Sequence, residues 1–228
     1  MESPAQRTPE WHEARLGRVT GSQVSRVFAY YKPTKAQIAA GIEPDEKAER
    51  KSYREGIVAE RLTGLPADPE PYVSHDMKWG EANEGLAKNL YQLTTKTLIE
   101  EAPFVTHPNP KVMAGASPDG FIGEDGVVEI KCLRSANHLY KVMMTQEIPE
   151  EYHDQMDMEI WVTGRKWCEF IAYDSRLPDG LQIFVQRYPR DEERMKRLEA
   201  GVMKFLEECD NDFKHFWAMV KGNKEDRK

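Results

Sequence analysis

Three cysteines in 228 residues, Cys132, Cys168 and Cys209, form no C-x-x-C pair and are odd in number, which argues against a disulfide framework and a thiolate zinc site. They are expected to be reduced, small core residues. No stretch approaches the ~18 consecutive apolar residues that span a bilayer. The opening Met1-Glu2-Ser3-Pro4 lacks the charged-then-apolar order of a secretion signal, so the expectation is a cytoplasmic protein with no membrane partner. Internal repeats and low-complexity tracts are missing as well. Net positive charge is also lacking: 32 Lys and Arg stand against 39 Asp and Glu, and the formal charge of −7 argues against a nonspecific nucleic-acid coat.

The charge that is present is unevenly placed. From Ala14 to Ile42 there are five bases (Arg15, Arg18, Arg26, Lys32, Lys35) and no acid, whereas Val142 to Gly164 carries six acids and no Lys or Arg. Such a chain can hold a polyanion on one surface and divalent cations on another. With 39% hydrophobic and 31% charged residues there is enough apolar material for a buried core, and the length suits one domain spanning 1–228. Its parts are a helical region (1–95), a sheet core (100–190) and C-terminal helices (191–228).

Ser52 to Leu62 and Trp79 to Leu93 have helical spacing, separated by a loop at Pro66–Pro71, where three prolines in six residues bar a helix. From Pro103 the period changes to that of strands: 104–106, 112–114, 127–132 and 168–173, with Gly123–Gly126 as the turn between the second and third. A helix starts near Pro149 and stops at Gly164. A strand over 181–187 and a charged amphipathic helix from Asp191 to about Cys209 follow, then an aromatic stretch around Phe213, Phe216 and Trp217. This order predicts a mixed α/β or α+β core with helices on its faces.

The informative segment is Ser117-Pro118-Asp119-Gly120 followed by Val127-Val128-Glu129-Ile130-Lys131. Side chains alternate along a strand, so Glu129 and Lys131 share one face while Val128, Ile130 and Cys132 face the core. A hairpin brings Asp119 to Glu129, and two carboxylates with a lysine at one strand end suit a hard cation such as Mg²⁺. An acid-x-Lys triplet alone means little, since it occurs six times, but only this copy lies in a β-branched strand with Pro-Asp upstream.

Further motifs stand in order around it. Trp11 to Ser22 reads W-x3-R-x-G-x-x-T-x-S, Trp79-Gly80 precedes Glu84 on a helix, and Gln155 is followed by Trp161-Val162-Thr163. Together with the Asp119/Glu129/Lys131 segment, these resemble the lambda exonuclease (YqaJ-like viral recombinase) family of the PD-(D/E)xK nuclease superfamily, over roughly Trp11 to Tyr188. The resemblance implies a restriction-endonuclease-like α/β core, a central mixed sheet flanked by helices, and a phage or prophage enzyme. That enzyme is a Mg²⁺-dependent 5′-to-3′ exonuclease, with Mn²⁺ a substitute, that acts on linear duplex DNA and leaves 3′ single-stranded overhangs for recombination by strand annealing. It implies a ring-shaped homotrimer and a single-strand annealing protein as partner. Asp119, Glu129 and the Ile130 carbonyl would bind metal, Lys131 would help the attacking water, and Glu84 would complete the acidic cluster. Arg15, Ser22, Ser117 and Gln155 would hold a 5′-phosphate, and Met77 aligns with a strand-separating wedge. In a ring, Arg26, Lys32 and Lys35 would line the channel together with Arg15 and Arg18. Where the family often has a second Gln, this chain has Asp157, which cannot donate in the same way. His12, His138 and His153 are not at metal spacing, and Trp11 and Trp79 read as packing residues. A same-fold endonuclease and a catalytically silent DNA-end binder are the alternatives.

Overall fold

The computed structural model describes residues 6, 8–68, 74–132 and 134–225. The chain opens with α1 (Pro9–Arg15), β1 (Val19–Thr20) and a 3₁₀ segment, Gly21–Phe28, followed by helices α2 (Lys35–Ala40), α3 (Ala48–Thr63) and α4 (His75–Thr95). Caps explain the starts. Thr8 accepts from the Trp11 N–H with Pro9 in the first turn, Thr34 and Gln37 form a reciprocal capping box, and Ser74 accepts from the Met77 N–H. Short strands β2 (Val105–Thr106), β3 (Ala114–Ala116) and β4 (Gly120–Ile122) lead to β5 (Gly126–Cys132). Then come α5 (Ala136–Thr145), a 3₁₀ turn (Glu150–Tyr152), α6 (His153–Thr163), β6 (Trp167–Tyr173), β7 (Ile183–Pro189) and α7 (Glu192–Glu225).

The strands form two sheets, ordered β1-β3-β2 and β4-β5-β6-β7. Within the larger sheet β5 pairs antiparallel with β4 and parallel with β6, the mixed pattern expected. The split was not foreseen, because β3 is Ala-Gly-Ala, buried throughout, and shows no alternation to read. Gly123–Gly126 does not join the second and third expected strands; it joins the additional strand β4 to β5. The helix α5 was unforeseen, α6 begins at His153 behind a 3₁₀ turn, and the aromatic stretch after Cys209 continues α7. Of the expected Pro66–Pro71 loop, residues 69–71 lie outside the described residues.

Both faces of β5 are covered, which positions the site. Val128 and Ile130 pack with Ala87 and Tyr91 of α4, while Val127 joins Met156, Ile160 and Phe170 in the larger core on the side of α6. The strand is thus buried on both faces, with Glu129 only 1% exposed. Lys131 and Cys132, at the carboxyl end, are half-buried, so the strand opens only there. Cys168 and Cys209 are core residues as expected, and all three cysteines are free thiols.

Candidate active site

Asp119 precedes β4, and Gly120 makes its placement possible: a Cβ there would stand 2.2 Å from Ile99 Cγ2 and 2.9 Å from the Glu100 carbonyl. The Asp119 N–H bonds the Val128 carbonyl, and Asp119 Oδ2 accepts from the Ile130 N–H at 2.6 Å, so the hairpin fixes the carboxyl beside β5. Burial, then the charges of Glu129 and Glu84, hold the Asp119 carboxyl well above its ordinary range. Glu84, ion-paired to Lys88 at 3.0 Å, thus reaches the same place from α4. The Cys132 thiol registers the convergence, pushed up to about 12 by burial and then by Glu84 and Asp119.

Glu129 Oε1 lies 2.5 Å from Lys131 Nζ. Burial works against the lysine charge, but Glu129, with Asp119 and Glu159 behind it, outweighs burial and keeps the ammonium protonated. Lys131 Nζ also donates to Gln155 Oε1 at 3.0 Å, and Gln155 Nε2 donates to Glu159 Oε1 at 3.2 Å. Glu159, 1% exposed, was not singled out in the sequence; its signal was an acid inside the apolar run Met158-Glu159-Ile160-Trp161. Its carboxyl is held up by burial first and then by Glu129.

Do these groups suit a divalent ion? The buried Glu129 Oε2 has no hydrogen-bond donor, an acceptor left for a cation. Among the described residues no three His, Cys, Asp or Glu side chains already form a metal cage. Two carboxylates supplemented by a carbonyl and water are what Mg²⁺ accepts, so the donor set of Asp119, Glu129 and the Ile130 carbonyl fits.

Two residues before Asp119, a second cluster begins. Trp11 Nε1 donates to Ser117 Oγ at 2.9 Å, and the Arg15 guanidinium lies 4.2 Å from the centroid of the Trp11 ring. Arg15 reaches Ser117 Oγ and Ser22 Oγ, each at 3.4 Å, long for hydrogen bonds. Among the described residues no carboxylate lies within ion-pair distance of it, and burial lowers its affinity for a proton. Trp11, expected only to pack, instead orients both Arg15 and Ser117. Gln155 is not joined to this cluster by a hydrogen bond; its amide is engaged by Lys131 and Glu159.

From Lys131 a cleft of about 640 Å³ opens, lined by Asp76, Cys132, Arg134, Ser135, Glu151, Tyr152 and Arg176. Arg134 pairs with Asp76 at 3.3 Å, and Arg176 with the buried Asp174 while lying 4.7 Å from the Trp79 ring centroid. Neither arginine stood out in sequence. Met77, beside Asp76, is 57% exposed and so is not a core methionine. The five-base stripe shrinks to three: Arg26, Lys32 and Lys35 are exposed, whereas Arg15 enters its pocket and Arg18 donates back to the Ala14 carbonyl. Asp157 is buried on α6 and meets Arg194 of α7 at 3.2 Å, so it ties two helices together. His12 stacks edge-on with Trp11 and His153 bonds the Ile148 carbonyl; the His138 side chain lies outside the described residues. Among those residues no helix is long and apolar enough to cross a membrane.

Solved structures of other proteins match this chain. The alkaline exonuclease LHK-Exo from Laribacter hongkongensis is 32% identical, with a TM-score of 0.79, covering 94% of this chain and 99% of its own. The same enzyme in complex with dAMP gives a TM-score of 0.80 over the same shares at the same identity. A phage related exonuclease from Haemophilus somnus 129PT shares the fold at 15% identity, with a TM-score of 0.63 over 87% of this chain and 96% of that one. No curated protein matches. Residues 10–166 match the YqaJ-like viral recombinase domain, and the chain belongs to that family, with the PD-(D/E)xK-like α/β fold of its exonuclease neighbours.

Proposed function

We propose that the protein is a Mg²⁺-dependent exonuclease that hydrolyses linear double-stranded DNA from its 5′ ends, releasing 5′-mononucleotides and leaving 3′ overhangs. Its family supports a nuclease acting on DNA. The observation that carries the polarity is the Arg15 pocket. A half-buried guanidinium held on the Trp11 ring, whose hydrogen-bond partners among the described residues are two hydroxyls at 3.4 Å, is an anion site waiting for a ligand, and a terminal phosphate offers the charge and the oxygens it lacks. Ser117 and Asp119 are two residues apart, so a phosphate held by Arg15, Ser22 and Ser117 places the next phosphodiester toward the carboxylates.

Asp119, Glu129 and the Ile130 carbonyl are the groups that would hold the metal, with Glu84 adding charge. A divalent cation there would supply Lewis acidity to the scissile phosphate. Lys131, kept protonated by Glu129, presents an ammonium donor to the same phosphate or to the attacking water. Gln155 steadies that ammonium, and Arg134 and Arg176 line the cleft beside it. A ring of three copies around the duplex, about 79 kDa or three times 26.3 kDa, would reconcile the net charge of −7 with retention of DNA. Arg26, Lys32 and Lys35 would then face the channel and Met77 the strand junction, with a single-strand annealing protein taking the overhang.

The test is digestion of linear duplex labelled at either end, with Mg²⁺ or with EDTA. A 5′ label should leave early as a mononucleotide only with Mg²⁺, closed circles should survive, and Lys131→Ala and Glu129→Ala should each fall below about a tenth of wild-type rate. Early loss of a 3′ label would overturn the polarity. Nicking of closed circles would favour an endonuclease, and EDTA-resistant binding without cleavage a silent end binder.

A further inference from the structure

Helix α6 presents two polar side chains one turn apart on the face toward β5, Gln155 and Glu159. Glu159 sits among Met156, Met158 and Ile160, each fully buried, and no Lys or Arg lies within ion-pair distance of it among the described residues. An acid left in such surroundings costs stability unless its position serves something. It meets the carboxyl of Glu129 on one side and the amide of Gln155 on the other. The two ends of that amide are distinguishable, because an ammonium can only donate and therefore takes the carbonyl end. Lys131 Nζ donates to Gln155 Oε1 at 3.0 Å, which turns Gln155 Nε2 toward Glu159 Oε1 at 3.2 Å.

We infer that Glu159 is a positioning residue for Lys131, acting through Gln155. The inference rests on the nuclease reading and deepens it. Glu159 locks the amide with its carbonyl facing the ammonium; turned over, the amide would set NH₂ against the ammonium and oxygen against the carboxyl. Lys131 then has two of its three donors committed, one to Glu129 Oε1 at 2.5 Å and one to Gln155. The third is left for a substrate oxygen, because Lys131 lines the cleft. Without Glu159 the amide can rotate, and Lys131 keeps its charge but loses its direction. Gln155 is thereby assigned to the lysine, and Arg15, Ser22 and Ser117 form the phosphate pocket without it.

Steady-state kinetics on a 5′-phosphorylated linear duplex, with duplex affinity measured separately in Ca²⁺, test this. Glu159→Ala should lower kcat about tenfold, the scale of one misdirected hydrogen bond. KM, affinity in Ca²⁺ and the preference for 5′-phosphate over 5′-hydroxyl should stay within about twofold of wild type, because those belong to the Arg15 pocket. Glu159→Gln should recover most of the loss, since its carbonyl can accept from Gln155, and Gln155→Ala/Glu159→Ala should be no slower than Gln155→Ala alone. An unchanged kcat in a folded Glu159→Ala, equal losses in the Ala and Gln variants, or additive losses in the double variant would each overturn the inference. So would a loss confined to KM or to phosphate preference. Should Glu159→Ala fail to fold, Glu159→Gln against Gln155→Ala decides: a Gln variant as slow as Gln155→Ala overturns it. A wild type that does not cleave DNA at all would overturn the nuclease reading instead.

Discussion

Two arginine clusters meet the 3₁₀ segment Gly21–Phe28, Arg15 at Ser22 near its start and Arg50 at Val27 near its end, and they are opposite in design. Arg50, 2% exposed, donates to the Val27 carbonyl at 3.0 Å, to Glu46 at 2.7 Å and to Glu208 at 3.0 Å, and stacks over Tyr30 and Phe205. Beside it Arg54 takes Glu46 with both terminal nitrogens and Asp212 with Nε. Each of these guanidinium groups meets carboxylates, and the result ties α3 to α7. Arg15 has an aromatic platform too, but where Arg50 has acids it has hydroxyls at 3.4 Å. A cation desolvated without a counter-charge is costly for folding, and the cost is recovered only when an anion arrives. The proposed reading of Arg15 as a phosphate ligand, against Arg50 as a structural tie, rests on that difference.

The most direct way to break the contrast is to give Arg15 the acid it lacks. Ser22→Asp would set a carboxylate where the hydroxyl now meets Arg15 Nη2. The variant should fold at least as well as wild type by thermal melt, yet digest 5′-phosphorylated ends about a hundredfold more slowly, since like charge against the incoming phosphate costs several kcal/mol. Arg15→Ala should erase the preference for 5′-phosphate over 5′-hydroxyl ends with almost no loss of stability. Equal rates on the two ends in the wild type would remove the pocket from the account.

The converse substitution should move stability and leave chemistry alone. Arg50→Ala takes one of two arginines from Glu46 and Glu208, which keep Arg54, and removes the donor to the Val27 carbonyl, so the penalty should be about 2 kcal/mol, below that of a fully buried pair left unpaired. Below its melting temperature the variant should keep its wild-type kcat and its 5′-phosphate preference. A selective loss of that preference would mean that the paired cluster also reads the DNA end.

Sequence could not draw this distinction. Arg15 and Arg50 both have an acid within a turn in sequence, Glu13 and Glu46, and what local spacing could not supply is Glu208, which lies 158 residues beyond Arg50 and is brought to it by α7 packing on α3. Strand β5 was legible because its β-branched run and following lysine have no competing reading, and the Asp119–Glu129 hairpin followed from the glycines between them. The two-sheet arrangement was not, since Ala114-Gly115-Ala116 carries no pattern and is selected by close approach: a Cβ on Gly115 would stand 2.4 Å from Phe104 Cζ. Glu159 was hidden for a related reason. An acid on a helix ordinarily marks the solvent face, and only the docking of α6 over β5 turns it inward. The part of the site carried by local pattern was thus readable, while the part that depends on which helix covers which strand needed the fold.

The smallest expected effect concerns acid, to which the two regions respond with opposite signs. In the paired cluster the hydrogen bond from Arg54, and after it that from Arg50, hold Glu46 at about 2 against an ordinary 4.5. A depressed carboxyl contributes stability that is full above its unfolded value and is lost as pH falls through the folded one, so the window runs from about 4.5 down to about 2. In the metal-free site, burial and neighbouring carboxylates raise Asp119 and Glu159, so folding is penalised while they are charged and the penalty is relieved as they protonate at higher pH. Acid should therefore relax the site before it weakens the arginine cluster. Because Glu46 is part-exposed and screened, its share is about 1 kcal/mol. Thermal melts of the metal-free protein and of Glu46→Gln isolate that share. The wild type should lose its advantage over the variant between about pH 4.5 and 2, and an advantage constant across that window would show that Glu46 is not held by the two arginines in solution.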